Sequence, residues 1–192
     1  MVINISPRMS VAEYLEWEER QELKHEYIDG EIIEMTGGTG KHSKIPVNIT
    51  LALASGIDMS EYVIFNSAMR IKVSATNYVY PDLSVVRGVE IYEDESELTL
   101  LNPIFVVEVT SPSSVTRDRV DKLGYYLEVP SIQAYLIVDQ DRPRAHLHTR
   151  AEDRWMLQIF DSADDVIQLP MLNCQLPLAQ VYRGILFDEA EN

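Results

Sequence analysis

The sequence is poor in the residues that build disulfides, thiolate metal sites and membrane spans. Its 192 residues include a single cysteine, Cys174, which excludes an internal disulfide and a zinc site made of several thiolates. No apolar run approaches the roughly 18 residues that a membrane-spanning helix needs. Residues 1–9 contain no apolar core of signal-peptide length. We therefore expect a cytoplasmic protein with no membrane partner.

Basic residues are also scarce. The chain has 16 lysines and arginines against 31 acids, and its net charge is −15, which argues against strong non-specific binding to phosphates. The acids are unevenly distributed: residues 90–97 carry five acids and no base, whereas residues 111–150 carry six bases against five acids. Screening over about 10 Å makes local charge more important than the total. The charge therefore disfavours non-specific DNA binding but is compatible with a local phosphate-binding site.

The order of the elements predicts an α/β fold. Ser10 and Glu13 form a capping box before a first helix, and Asp29-Gly30 between two alternating runs predicts a hairpin. Pro46 is tolerable in a second helix only if it lies in the first turn. The predicted helices cover residues 11–20, 43–57 and 118–127, with a short turn or helix at 178–182. The predicted strands are 62–65, 69–73, 82–86, 104–110, 134–138, 144–148, 155–160 and a weak one at 166–169. We expect a central mixed β-sheet flanked by helices, in one domain spanning residues 1–192.

Two carboxylates mark a candidate site. Asp82 begins an apolar run after Pro81, and Glu108 lies within residues 104–110, which are otherwise almost entirely apolar. An ionised group is costly to bury, so Glu108 needs a partner or a metal. Two such acids on adjacent strands would form an oxygen-rich pocket of the kind that Mg²⁺ prefers.

These residues belong to an ordered set that runs along most of the chain. The set consists of Glu26 before the Asp-Gly hairpin, His42 at a helix start, Pro81-Asp82, Glu108-Val109-Thr110-Ser111-Pro112-Ser113, Lys122 in the next helix, and Ala134-Tyr135-Leu136-Ile137-Val138-Asp139. From about residue 10 to residue 182 the chain closely resembles the Uma-two family of restriction-endonuclease-like proteins, abundant in cyanobacteria. That family is similar to a branch of the PD-(D/E)XK nuclease superfamily. The resemblance implies a restriction-endonuclease-like core.

One position departs from the superfamily pattern. The motif lysine normally lies two residues after the glutamate, and Thr110 stands there instead. The resemblance implies that the lysine is displaced to the following helix, at Lys122. The chemistry permits this because hydrolysis needs an ammonium near the water and the phosphate, whatever part of the backbone supplies it.

The resemblance also implies roles for the site residues. Asp82 and Glu108 would be catalytic and would hold one or two Mg²⁺ (or Mn²⁺) ions, with the main-chain carbonyl of Val109 as a further ligand. Lys122 would be catalytic, and Glu26, from the first helical region, would extend the acidic pocket. Substrate contacts are expected from His42, Arg70, Ser111 and Ser113.

The leading hypothesis is a Mg²⁺-dependent endonuclease that acts on DNA as a homodimer, since two symmetric sites are the simplest way to cut both strands. The alternative is a weak or inactive module that keeps the nuclease fold and binds nucleic acid or protein. The charge of −15 and Thr110 favour that alternative. A glycosidase pair of acids is a third possibility, but no cleft of aromatic residues is evident. A Ser111–His42–Asp82 triad lacks a Gly-x-Ser-x-Gly elbow.

Overall fold

The computed structural model describes residues 9–35, 37–110, 122–152 and 154–187. The α-helices of this part are α1 (Val11–Glu18), α2 (Gly40–Gly56), α3 (Lys122–Glu128) and α4 (Leu178–Val181). The strands are β1 (His25–Ile28), β2 (Glu31–Glu34), β3 (Tyr62–Asn66), β4 (Arg70–Lys72), β5 (Asn77–Val79), β6 (Leu83–Arg87), β7 (Thr99–Leu100), β8 (Phe105–Thr110), β9 (Ala134–Asp139), β10 (Ala145–Ala151), β11 (Arg154–Phe160), β12 (Val166–Leu169) and β13 (Cys174–Pro177).

The larger sheet has six strands in the order β11-β10-β9-β8-β6-β3. β8 and β9 run parallel, and the other neighbouring pairs are antiparallel. β8 has a strand on each side, and all six of its residues are buried, as expected for an apolar run with no solvated face. The predicted mixed sheet with flanking helices and the central position of residues 104–110 are both confirmed.

The two faces of β8 contact different parts of the core. Val107 and Val109 lie in one apolar cluster with Ile45 and Ile49 of α2. Val106 lies in another, with Tyr126 of α3. Because successive side chains of a strand point to opposite faces, Glu108 shares the face of Val106 and points toward α3.

A second sheet has five strands in the order β2-β1-β5-β4-β7. Its β1–β2 hairpin turns at Asp29 (φ 49°) and Gly30 (φ 92°). Two successive positive φ values are what a two-residue type I′ turn requires, and Asp-Gly supplies them at low cost. The predicted hairpin is therefore confirmed. β12 and β13 form a separate antiparallel pair.

Helix α1 packs on this five-stranded sheet. The Ser10–Glu13 capping box is present, with the Ser10 N–H donating to Glu13 Oε2 at 2.8 Å. Tyr14 is fully buried, its ring stacks on Tyr27 of β1, and its hydroxyl donates to the His25 carbonyl at 2.6 Å. The contacts of α1 thus fix β1, the strand that carries Glu26.

Helix α2 begins earlier than predicted. Thr39 accepts a hydrogen bond from the His42 N–H, which caps the helix so that its first residue is Gly40. Pro46 therefore lies in the second turn, and its predicted first-turn position is wrong. Strands β5, β7 and β13 were not predicted, because segments of two to four residues carry too little alternation to be recognised. Among the residues that the structure describes, no helix is long and apolar enough to cross a membrane.

Candidate active site

Glu26 lies on β1 and is fully buried. Its predicted location in the first helical region is therefore wrong: the helix ends at Glu18, and residues 25–28 pair with β2 and β5. Oε1 of Glu26 accepts the Tyr80 N–H at 3.3 Å and contacts the Lys122 Nζ at 2.8 Å. A carboxylate in this environment needs such partners, because burying an unpaired charge is expensive.

Glu108 lies on β8 and is 4% exposed. Its Oε1 accepts hydrogen bonds from Lys122 Nζ and from the Tyr126 hydroxyl, both at 2.8 Å. Glu108 was expected to need a partner or a metal. Its partners in the structure are the Lys122 ammonium and the Tyr126 phenol. Burial raises the pKa of Tyr126 well above its usual value, so the phenol stays protonated and donates.

Lys122 connects the two acids. Its side chain is 3% exposed, and its Nζ lies 2.8 Å from Oε1 of both Glu26 and Glu108. The three residues come from β1, β8 and α3, so the cluster joins both sheets to a helix. The contacts with Glu26 and Glu108 place this ammonium in the interior.

Tyr126 was missed by the reasoning from sequence. It lies four residues after Lys122, and residues at this spacing share one face of a helix. That spacing was the available signal, and it places Lys122 and Tyr126 together over Glu108.

Asp82 lies just before β6, beside the strand that carries Glu108. Its Oδ2 accepts the Val109 N–H at 2.7 Å and lies 3.5 Å from His42 Nε2. The Asp82 side chain is 13% exposed and that of His42 is 25% exposed. Asp82 and His42 therefore lie at the accessible side of the cluster, while Glu26 and Lys122 lie at its buried side.

The N-terminus of α2 is tied to the end of β9 by a second set of contacts that the sequence did not predict. Thr39 Oγ1 donates to Oε1 of the buried Gln140 at 2.9 Å, and the Gln140 N–H donates to the Thr110 carbonyl at 3.2 Å. These bonds hold the first turn of α2, with His42, against the end of β8. Thr39 and Gln140 are 101 residues apart, so no local pattern could have shown the pairing.

Tyr80 links Glu26 to a further buried group. Its main chain donates to Glu26, and its hydroxyl donates to Glu18 Oε1 at 3.1 Å. Glu18 Oε2 in turn lies 3.0 Å from the His25 Nδ1. Burial raises the pKa of Tyr80 to about 12, so its phenol remains a donor at neutral pH.

The remaining predicted site residues lie elsewhere or outside the described part. Arg70 is 3% exposed on β4, where its Nε donates to Thr99 Oγ1 at 2.8 Å and its guanidinium lies over the Tyr14 and Tyr78 rings. Ser111 and Ser113 lie outside the described residues.

The donor set suits a hard cation held by few protein ligands. Within residues 9–35, 37–110, 122–152 and 154–187, no group of three or more His, Cys, Asp or Glu side chains is arranged to hold a metal ion. Mg²⁺ is commonly bound through one or two carboxylates, with water and substrate phosphate completing its shell. Asp82 and Glu108 fit that pattern: Asp82 Oδ2 accepts the N–H of Val109, the residue that follows Glu108 on β8.

The fold has a solved counterpart. The structure described as "a putative nuclease belonging to DUF820" from Anabaena variabilis superposes with a TM-score of 0.76, covering 93% of this chain and 99% of that one at 22% identity. The chain thus has the fold of that nuclease-like class, with a buried acid–lysine cluster between its two sheets.

The family is shown by sequence. The family model Uma2, described as "Putative restriction endonuclease", matches residues 11–179, and the chain belongs to this family. An uncharacterised protein of Synechocystis sp. is 35% identical over 182 residues, covering 94% of this chain and 95% of the relative. A second uncharacterised protein of the same organism is 34% identical over 159 residues, covering 82% and 90%.

Proposed function

We propose that this protein is a Mg²⁺-dependent endonuclease that hydrolyses phosphodiester bonds of DNA. The observation that carries the proposal is the position of Lys122, whose Nζ contacts Glu26 and Glu108 at 2.8 Å each. Asp82 lies just before β6, the strand that pairs with the Glu108 strand β8. Lysine and paired carboxylates on adjacent strands are the groups that phosphoryl hydrolysis needs. Membership of the Uma2 family supports the same chemistry.

Asp82 and Glu108 would hold the Mg²⁺ ion. When bound, the ion acidifies a water molecule and offsets negative charge on the phosphate. Asp82 is suited to this task because the Val109 N–H fixes its Oδ2 while part of the side chain stays accessible. Glu108 is fixed from the other side by Lys122 and Tyr126.

Lys122 would act on the attacking water and on the developing charge. In the hydrolysis, the water gives up a proton and its oxygen bonds to phosphorus, the bond from phosphorus to one ester oxygen breaks, and the released alkoxide takes up a proton to leave as the alcohol. An ammonium fixed between two carboxylates is already oriented before substrate arrives, so little reorganisation is needed during the reaction. Glu26 would keep Lys122 charged and in place, and His42, beside Asp82, is placed to contact a phosphate oxygen.

The position of Lys122 also offers an explanation for Thr110. Thr110 is buried, and its hydroxyl lies 3.4 Å from the Val138 carbonyl. The ammonium reaches Glu108 from α3, which packs on the same face of β8. Lys122 on α3 would thus take the place of the lysine that the superfamily carries two residues after the glutamate.

Cleavage of supercoiled plasmid in Mg²⁺ or Mn²⁺ tests the proposal. Asp82→Asn and Glu108→Gln remove the two proposed ligands while keeping side-chain size, and we expect a loss of about 100-fold or more. Asp164→Asn and Glu95→Gln are matched controls, since both residues are exposed and lie outside the cluster. Metal binding measured by calorimetry should be lost with Asp82→Asn and kept with Asp164→Asn.

Two outcomes would contradict the proposal. Cleavage that survives both Asp82→Asn and Glu108→Gln would come from a contaminant or from another site. Wild-type protein that binds neither Mg²⁺ nor Mn²⁺ would favour the second candidate, a binding module with the nuclease fold. That candidate is favoured by the net charge of −15.

A further inference from the structure

The imidazole of His42 lies between a carboxylate and a glycine. Its Nε2 is 3.5 Å from Asp82 Oδ2, and its other ring nitrogen lies close to Gly38, just before α2. A Cβ atom at residue 38 would be 2.7 Å from His42 Nδ1, 2.8 Å from its Cγ and 3.1 Å from its Cβ. Non-bonded carbon atoms attract each other at about 3.5–4.0 Å. The ring therefore occupies the space that any side chain at residue 38 would need.

Space, and not backbone conformation, is what calls for glycine at residue 38. Gly38 is not one of the glycines with a positive φ, so other residues could adopt its backbone conformation. Its neighbours Gly37 and Gly40 differ from it, because a Cβ at either position would meet no atom within 4 Å. The three atoms nearest to a Cβ at residue 38 all belong to the His42 side chain. The close approach is therefore specific to this one pair of residues.

The imidazole could avoid a new side chain only by turning away from Asp82. The first turn of α2 is held by the Thr39 cap, which accepts the His42 N–H, so the main chain of His42 is fixed. A methyl group at residue 38 would meet Cγ, the first ring atom, and a small tilt of the ring does not move that atom. Relief then needs a change of χ1, whose values fall in separate staggered wells. Such a change moves Nε2 away from the Asp82 carboxylate.

We propose that Gly38 is a positioning residue, which by lacking a side chain lets the His42 imidazole lie against Asp82. In that place the ring can contact a phosphate oxygen of the substrate. The phosphate contact rests on the proposed nuclease function, whereas the placement of the ring does not. Gly38 acts through His42 alone, so a substitution at residue 38 should have no effect on the site once the ring is removed.

A double-mutant cycle on DNA cleavage in Mg²⁺ tests this dependence. Gly38→Ala should lower kcat/KM by about 10- to 100-fold, because a displaced group no longer meets the substrate, and His42→Ala should lower it by a similar factor. The double variant Gly38→Ala/His42→Ala should cleave like His42→Ala alone. Gly37→Ala and Gly40→Ala are matched controls that add the same methyl group into open space, and they should cleave like wild type.

Three outcomes of the cycle would overturn the proposal. Gly38→Ala that cleaves like wild type would show that the ring accommodates the methyl group. Losses that add in the double variant would show that Gly38 acts by a route other than His42. Loss of Mg²⁺ binding by Gly38→Ala in calorimetry would place the damage at the metal ligands. If Gly38→Ala fails to fold, the double variant decides: recovered folding supports a clash with the ring, and continued unfolding contradicts it.

Nuclear magnetic resonance tests the placement of the ring without using cleavage. The chain has four histidines, and the ring signal of His42 is the one that His42→Ala removes. Asp82→Asn should shift this signal in the wild-type and Gly40→Ala backgrounds, but not in Gly38→Ala, where the ring has turned away. An equal shift in all three backgrounds overturns the proposal, whether or not the protein cleaves DNA. The expected shifts in a protein that cleaves no DNA would support the placement and contradict the nuclease function.

Discussion

At the scale of single residues, Lys122 is the most constrained charge in the described part of the site. It is 3% exposed and lies between two carboxylates that are themselves buried. A buried ion pair gives little net stability compared with an apolar replacement of all its members. Removing the lysine, however, leaves two buried carboxylates without the cation that they share. Replacing Lys122 should therefore lower the free energy of unfolding by more than the loss of its own two contacts suggests.

Lys122→Met should therefore destabilise the fold as well as abolish cleavage. We expect a loss of about 3–5 kcal/mol in the free energy of unfolding, because Glu26 and Glu108 would remain buried without their cation. Urea denaturation followed by circular dichroism measures this. Lys44→Met, at an exposed position on α2, should change stability little. Equal stability of Lys122→Met and wild type would mean that the two acids are protonated or solvated without the lysine.

The residues of the site differ in how far the sequence could reveal them. Asp82 and Glu108 stood out because acids are rare in apolar segments, and the structure places Asp82 just before β6 and Glu108 on the neighbouring β8. Lys122 followed from the resemblance to the family, and Tyr126 could have followed from its spacing. Gln140 could not, since its contact with Thr39 depends on where α2 begins relative to β9.

At the scale of elements, the N-terminus of α2 has two functions that depend on one hydroxyl. Thr39 caps the helix by accepting the His42 N–H, and it also donates to Gln140 at the end of β9. The cap sets where the helix begins, and the bond to Gln140 sets where its first turn lies. Together they determine the position of His42 relative to Asp82.

Thr39→Ala should lower the free energy of unfolding by about 1–2 kcal/mol, since it removes the cap and leaves the buried Gln140 without this donor. Thr39→Ser keeps the hydroxyl and should remain close to wild type in urea denaturation. If Thr39→Ser is as unstable as Thr39→Ala, packing of the methyl group rather than hydrogen bonding explains the effect.

The sequence revealed those elements whose own residues carry a complete hydrophobic or turn pattern. Residues 105–110 and the Asp29-Gly30 turn are of this kind, and both were predicted correctly. β5 and β7, with three and two residues, exist because neighbouring strands pair with them. Glu26 was placed in a helical region because its strand is short and its partner β5 was not recognised.

At the scale of the whole molecule, one cluster of buried charges joins the two sheets. Glu26 lies on β1 of the five-stranded sheet and Glu108 on β8 of the six-stranded sheet, and both contact Lys122.

The cluster of Glu26, Glu108 and Lys122 also has a consequence for folding kinetics. Its members come from three elements that lie far apart in the chain, and the contact between Glu26 and Lys122 closes a long loop. Contacts of this kind form late, because the entropy of loop closure is lost before they can stabilise the chain. Secondary structure should therefore return early during refolding, and the site last, when the five-stranded sheet docks on the six-stranded one. A newly made chain would thus acquire this cluster only as its two sheets complete their packing.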